Sequence, residues 1–207
     1  MSEQQQTGYR KSGIYTAARF VANLLFKTVM PVRYHNEERL ALDAPYIIIG
    51  NHSHWMDPVV LAVPVRRYQV TFLGKKELMK NPIANWVFRK INVIPVDRHN
   101  TDMAAMRACV KAVREGQILG IFPEGTRYHQ GVMEELESGV AMIALRSGVP
   151  LIPVYVSEKL KFFRRTDVYV GEPIPLDDLK AAGINKDTCE ALLKRITATY
   201  ADLQKQA

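Results

Sequence analysis

Residues 46–58 read YIIIGNHSHWMDP, and the fold is read outward from them. An apolar, β-branched run stops at Gly50. A polar loop follows, with Asn51, His52, His54 and Asp57, and Pro58 then opens a stretch of helical character. Strand, polar loop, helix is the repeating unit of a parallel sheet. The same unit recurs along the chain. Strand-like runs fall at 46–50, 69–74, 91–96, 118–122, 151–156 and 167–171. Helix-like stretches lie between and after them, at 58–63, 75–89, 102–114, 138–147 and 186–204. Strands apolar on both faces must be covered on both faces. The expected fold class is therefore α/β: a mainly parallel mixed sheet covered by helices, preceded by an N-terminal amphipathic helical element.

That first element spans 14–32, IYTAARFVANLLFKTVMPV. Ile14, Ala17, Ala18, Val21, Leu24, Leu25 and Thr28 recur at helical spacing, and Phe20, Phe26, Val29 and Met30 widen the apolar surface. Arg10, Lys11, Arg19 and Lys27 supply cations, and two of them interrupt the run, so it falls short of the ~18 uncharged apolar residues of a membrane span. Such a helix fits the interface of a bilayer and fits packing against the domain core equally well. The boundary is expected near residue 35, with 1–35 the amphipathic region and 36–207 the α/β domain. No secretory signal is expected from MSEQQQTGYRKS.

The 207 residues are 47% hydrophobic and 24% charged, the balance of one globular domain rather than of a disordered chain. Two cysteines, Cys109 and Cys189, stand far apart and outside any CxxC pattern, which argues against a disulfide framework and a zinc ribbon. The formal charge of +7 favours an anionic partner: phosphate, acidic protein, nucleic acid or a membrane surface.

Ligands of open α/β sheets bind beyond the carboxyl ends of the strands. That is where NHSHWMD lies. Along a regular helix His52 and Asp57 would point about 140° apart. A tight turn leading into the helix can instead fold the aspartate under the imidazole. The carboxylate then fixes the tautomer and leaves the other ring nitrogen free to accept a proton. This dyad has no nucleophile of its own and suits activation of a substrate hydroxyl. Asp57 followed by Pro58 equally fits a helix N-cap with proline at the first helical position. HSHWMD also comes close to the HxHxDH run of zinc hydrolases, with the aspartate displaced and the last histidine missing; only His35, His99 and His129 remain to complete such a site. No metal is expected.

A second polar cluster, GIFPEGTRYHQG at 120–131, also follows a strand. Gly125 permits a sharp turn and close backbone approach. Arg127 offers a planar fork for phosphate oxygens, and Thr126 a hydroxyl. PVDRHN, 95–100, brings Arg98, and Lys75 and Lys76 follow another strand. Cations at several strand ends facing one histidine–aspartate pair suit a phosphorylated alcohol.

These residues together resemble the glycerolipid acyltransferases, most closely the bacterial 1-acylglycerol-3-phosphate acyltransferases. Asn51, His52 and Asp57 match the family's NHxxxxD motif. The segments KKELMKNP and NVIPVDR match its second region, ending in Arg98. FPEGTR, 122–127, matches the third, and VPLIPVYV, 149–156, the proline-centred fourth. The resemblance implies that His52 is the general base for the 2-hydroxyl of lysophosphatidate and that Asp57 orients it. It implies direct transfer from an acyl carrier protein or coenzyme A thioester, with no further cofactor. Asn51, Arg98, Glu124, Gly125, Thr126 and Arg127 would hold the acceptor, with Lys75 or Lys76 nearby. Val149, Pro150, Ile152 and Pro153 would serve the acyl chain or donor. The family's FKKG is replaced here by LESG, with Glu137 and Ser138 in place of two lysines, which puts the acceptor's head group in question. The implied setting is the cytoplasmic face of the cell membrane, bound peripherally or monotopically. SEKLKFFRR, 157–165, would add a basic, aromatic contact with anionic lipid. No nucleic acid partner is expected.

Overall fold

Ile47 and Ile49 pack into one apolar cluster and Ile48 into another. A strand turns successive side chains to opposite faces, so strand β2 (Ile47–Gly50) is buried on both sides. The computed structural model describes residues 12–97, 102–126 and 131–207. In chain order the elements are α1 (Gly13–Thr28), β1 (Val32–His35), β2, α2 (Asp57–Ala62), β3 (Val70–Lys75), α3 (Pro82–Lys90), β4 (Val93–Val96), α4 (Met103–Arg114), β5 (Ile118–Ile121), α5 (Ser138–Ser147), β6 (Leu151–Val156), β7 (Thr166–Val170), α6 (Asp177–Ala181) and α7 (Lys186–Gln204).

The strands form one seven-stranded sheet in the order β1-β7-β6-β2-β5-β3-β4. β2 lies between β6 and β5, with Ile48 level with Ile152 on one side and Gly120 on the other. Strands β6, β2, β5, β3 and β4 run parallel; β7 runs against β6, and β1 runs with β7. Helices α4, α5 and α7 cover the face of Ile47 and Ile49, and α1 and α2 cover the face of Ile48. Helix α7 shows why: Cys189, Leu192, Ile196, Tyr200 and Leu203 recur every three or four residues and are all buried. Each such leucine or isoleucine contributes about 1.5–3 kcal/mol on burial. Asn185 and Thr188 close the start of α7 with a capping box.

The six strand-like runs correspond to β2 through β7. Strand β1 was not among them. Its four residues, VRYH, follow the helical pattern of α1 without a break in polarity, and only the register with β7 makes them a strand. Helix α1 ends at Thr28, ahead of Pro31. The stretch 75–89 divides into a 3-10 turn (Lys76–Lys80) and α3, because the Asn81 side chain caps Ile83 and Ala84 and Pro82 starts a new helix. No residue of α3 is buried. The five-residue α6 is too short to show a period. Among the described residues no helix is long and apolar enough to cross a membrane.

Candidate active site

The carboxyl ends of the parallel strands share one edge of the sheet. There the chain leaves β2 at Asn51, β5 at Phe122, β3 at Lys75 and β6 at Val156. Gly50 ends β2 because α2 lies directly on it: a Cβ there would come within 2.7 Å of the Leu61 side chain. Asn51 is fully buried. Its Nδ2 donates to the Val156 carbonyl at 3.0 Å, and its Oδ1 accepts the Val156 amide at 2.8 Å. Expected at the substrate, Asn51 instead ties the ends of β2 and β6 from beneath.

Asp57 has no exposed surface. It is the first residue of α2, yet its carboxylate does not cap that helix. It turns back into the preceding loop, where Oδ2 accepts the amides of Ser53 (2.6 Å) and His54 (2.7 Å) and contacts Nδ1 of His52 (3.0 Å). An oxygen that already accepts two N–H donors can only accept from the third, so Nδ1 carries the proton and Nε2 is the open acceptor. The His52 ring is stacked on Phe122 from β5's end, with centroids 4.3 Å apart. Two chain segments thus hold one imidazole: the loop after β2 by hydrogen bonds, the loop after β5 by contact.

Glu124 joins the same two loops. Its Oε2 accepts the His52 amide at 2.6 Å and its Oε1 the Met133 amide at 2.9 Å. Burial pushes its carboxyl above the usual range, opposed by those two amides. Both oxygens are used on protein amides, so Glu124 acts here as a strut between loops. Gly125 has φ +66°, and a Cβ there would come within 2.9 Å of the Glu137 side chain. The carboxylate that replaces the family's lysine therefore lies against this turn. Thr126 is exposed beside it.

Two segments expected to carry phosphate-binding arginines, Arg98 and Arg127, lie outside the described residues. The bases of both loops are described, and each is tied by a carboxylate. Asp102 Oδ2 accepts the Asp97 amide at 3.0 Å across residues 98–101. Glu124 accepts the Met133 amide across residues 127–130. The amides of Asp97, Ala105 and Ala104, with the charge of Lys76, hold the Asp102 carboxyl below the usual range. Lys75 ends β3 at the active edge, 4.0 Å from Glu77, and Lys76 follows it, exposed.

The proline-centred segment lies elsewhere. Val149 and Pro150 precede β6, at the amino edge of the sheet, roughly 20 Å of strand from Val156. Ile152 and Pro153 are buried within β6, level with Ile48 and Ile49. These four residues are not brought to His52. The reason is positional: a central strand and a pocket wall show the same unbroken apolar run. His54, the second histidine of the loop, accepts the Met56 amide with Nδ1 (3.3 Å). Among the described residues no three His, Cys, Asp or Glu side chains form a group able to hold a metal ion.

Three parts of the site carry no signal in the sequence: Phe122 under the imidazole, the amides of Ser53 and His54 on Asp57, and Tyr200. The Tyr200 hydroxyl, fully buried on α7, donates towards the carbonyls of Ile49 (2.7 Å) and Val154 (3.2 Å), directly below the site.

The Acyltransferase family model matches residues 31–157, which include the His52–Asp57 pair and Glu124. The chain belongs to the Acyltransferase family. Within this family it is 33% identical over 165 residues to the 1-acyl-sn-glycerol-3-phosphate acyltransferase of Bacillus subtilis, covering 75% of this chain and 81% of that protein. It is 29% identical over 200 residues to the enzyme of the same description from Streptococcus pneumoniae, covering 93% and 74%. Among solved structures, the acyltransferase PlsC of Thermotoga maritima has the same fold, with a TM-score of 0.65 at 22% identity, covering 93% of this chain and 78% of that one.

Proposed function

We propose that the protein is a 1-acyl-sn-glycerol-3-phosphate O-acyltransferase, moving a fatty acyl group from an acyl carrier protein or coenzyme A thioester to the 2-hydroxyl of lysophosphatidate. The observation that carries this is the His52–Asp57 pair at 3.0 Å, with Nδ1 protonated and Nε2 open at the active edge of an Acyltransferase fold. His52 Nε2 takes the hydroxyl proton as the acceptor oxygen attacks the thioester carbonyl. The C–O bond forms, the C–S bond breaks, and the imidazolium returns the proton to the leaving sulfur. Asp57, a buried carboxylate with three donors on one oxygen, holds the ring and stabilises its charged form. The acceptor's phosphate is assigned to Arg98, Arg127 and Lys75 or Lys76, and the loop bases tied by Asp102 and Glu124 support that assignment by fixing where both arginine-bearing loops begin and end.

A lipid acceptor calls for a bilayer. Helix α1 buries Tyr15, Ala22 and Phe26 against the domain and exposes Phe20, Val21 and Leu24. This supports peripheral attachment through its outer face. Phe162 and Phe163, also exposed amid Lys161, Arg164 and Arg165, supply a second contact.

One observation favours a second acceptor. Glu137 lies against Gly125 in the phosphate-side turn, where the resemblance leads one to expect a cation. A carboxylate there favours a different lysolipid. Thiol release from acyl-CoA and from acyl carrier protein, with lysophosphatidate and a panel of other lysolipids as acceptors, decides between the two. His52→Ala must lose about 10²–10⁴-fold in rate, the usual weight of a general base. Undiminished transfer by that variant refutes the mechanism.

A further inference from the structure

Helix α1 divides into three stripes. At about 100° per residue, the buried side chains Tyr15, Ala22 and Phe26 form the first. Arg19, Asn23 and Lys27 form the second, roughly 80° around the axis. Exposed Phe20, Val21 and Leu24 form the third, nearly opposite the first. An ordinary surface helix has one apolar face and one polar face. This one places a polar, basic strip between an apolar face turned to the protein and an apolar face turned to solvent.

The basic strip is the wall of a cavity of about 480 Å³ between α1, β1 and the end of α2, with Arg66 and Glu37 across from it. That volume is within the range of small-molecule sites, about 300–1,000 Å³. The side chains on hand are three cations and one carboxylate. Arg66 is spent on Glu37 at 3.0 Å. One Arg19 amino group donates to the Val63 carbonyl at 2.8 Å, which orients its guanidinium. Neither Arg19 nor Lys27 has an acidic partner among the described residues. The cavity therefore carries excess positive charge beside an outward apolar stripe.

We propose that this cavity binds the phosphate-bearing head group of an anionic membrane phospholipid, distinct from the acyl acceptor, and that this lipid anchors α1 to an anionic leaflet. The inference rests on reading the protein as one that works at a bilayer. An apolar stripe inserted among acyl chains places the neighbouring strip at head-group depth. There a cation is worth about five-fold in affinity for an anionic leaflet. The cavity lies at the far end of α2 from the His52–Asp57 pair, so its occupant does not enter the reaction.

Sedimentation with vesicles of phosphatidylglycerol and phosphatidylcholine, against phosphatidylcholine alone, tests the proposal without requiring turnover. The double variant Lys27→Gln, Arg66→Gln should bind the anionic vesicles at least about ten-fold more weakly. Asn23→Glu, which sets a carboxylate in the cavity, should weaken it about five-fold. Both leave the buried stripe intact, and urea midpoints check that they are folded. Lys186→Gln with Lys194→Gln removes the same charge from α7, on the opposite face of the sheet, and should leave binding unchanged. Equal loss in the two double variants means that a diffuse field and not the cavity attracts the membrane, and overturns the proposal. So does unchanged binding in the cavity variants. Tight binding of inorganic phosphate at this cavity, indifferent to vesicles, overturns its assignment to a lipid. Vesicle binding is read independently of acyl transfer, so a failure of the catalytic reading leaves this result interpretable.

Discussion

Replacing Asp57 by asparagine and by alanine separates two jobs of one carboxylate. Oδ2 receives the Ser53 and His54 amides at 2.6 and 2.7 Å and the His52 ring at 3.0 Å, in a residue with no exposed surface. In Asp57→Asn, the two amides select the carbonyl oxygen for the Oδ2 position, because an NH2 group there would face two donors. The NH2 falls where Oδ1 was, an atom without a partner among the described residues. Burying it unpaired costs about 1–3 kcal/mol of stability. The imidazole keeps its acceptor and its tautomer and loses only the neighbouring negative charge. A hydrogen bond to a charged group is worth about 1.5–3 kcal/mol against about 0.5–1.5 for a neutral one. The difference, about 1–1.5 kcal/mol, is roughly a five- to fifteen-fold loss in rate. Asp57→Ala leaves two amides unpaired and the ring free to rotate, and should fall by about 10²–10⁴-fold. Initial rates of thiol release from acyl-CoA with lysophosphatidate measure both. Equal activity of the two variants would show that the two loop amides do not fix the tautomer, and would refute the reasoning.

Other perturbations test the supports around the dyad. Asn51→Ala strands the buried amide and carbonyl of Val156; stability should drop by roughly 2–5 kcal/mol, a fall in Tm of roughly 5–15 °C, while the KM for the acceptor of the folded variant stays within about two-fold. Glu124→Gln turns one acceptor into a donor facing a backbone amide, and should lower the rate by shifting the His52 loop. Because burial raises the Glu124 carboxyl, the fold favours its neutral form: that stability is present at low pH and is lost as pH rises through the raised value. The urea midpoint of wild type minus that of Glu124→Gln should therefore fall as pH rises from about 4; a difference that rises contradicts the assignment. A chelator should leave transfer unchanged, and inactivation restored by zinc would revive the metal hydrolase reading.

The central strands were legible because burial on both faces leaves an unbroken apolar run with a polar loop at its end. Helices α5 and α7 were legible to the residue because their apolar period stops at clear breakers: Gly148 after α5, and the Asn185 cap before α7. Strand β1 was hidden because its partner is a strand near the other end of the chain. The site shows the same division. His52 and Asp57 are near neighbours in sequence, and a turn between them could be imagined. The partners of Asn51 and His52, Val156 and Glu124, lie 105 and 72 residues away, and no local pattern announces them. Val149, Pro150, Ile152 and Pro153 show the converse: an apolar run reports burial but not what does the burying.

The pairing of β1 with β7 has a consequence for how the molecule is made. Val32 waits for Thr166 before it has a neighbour. At about 5–20 residues per second, synthesis keeps them apart for on the order of ten seconds. Helix α1 emerges earlier still, with Tyr15, Ala22 and Phe26 uncovered along with its outer stripe. For that interval the nascent chain presents a helix with two uncovered apolar faces, and a nearby leaflet offers them cover before the rest of the domain exists. Ribosomes translating this message should therefore fractionate with membranes once α1 has cleared the exit tunnel, well before the sheet can close.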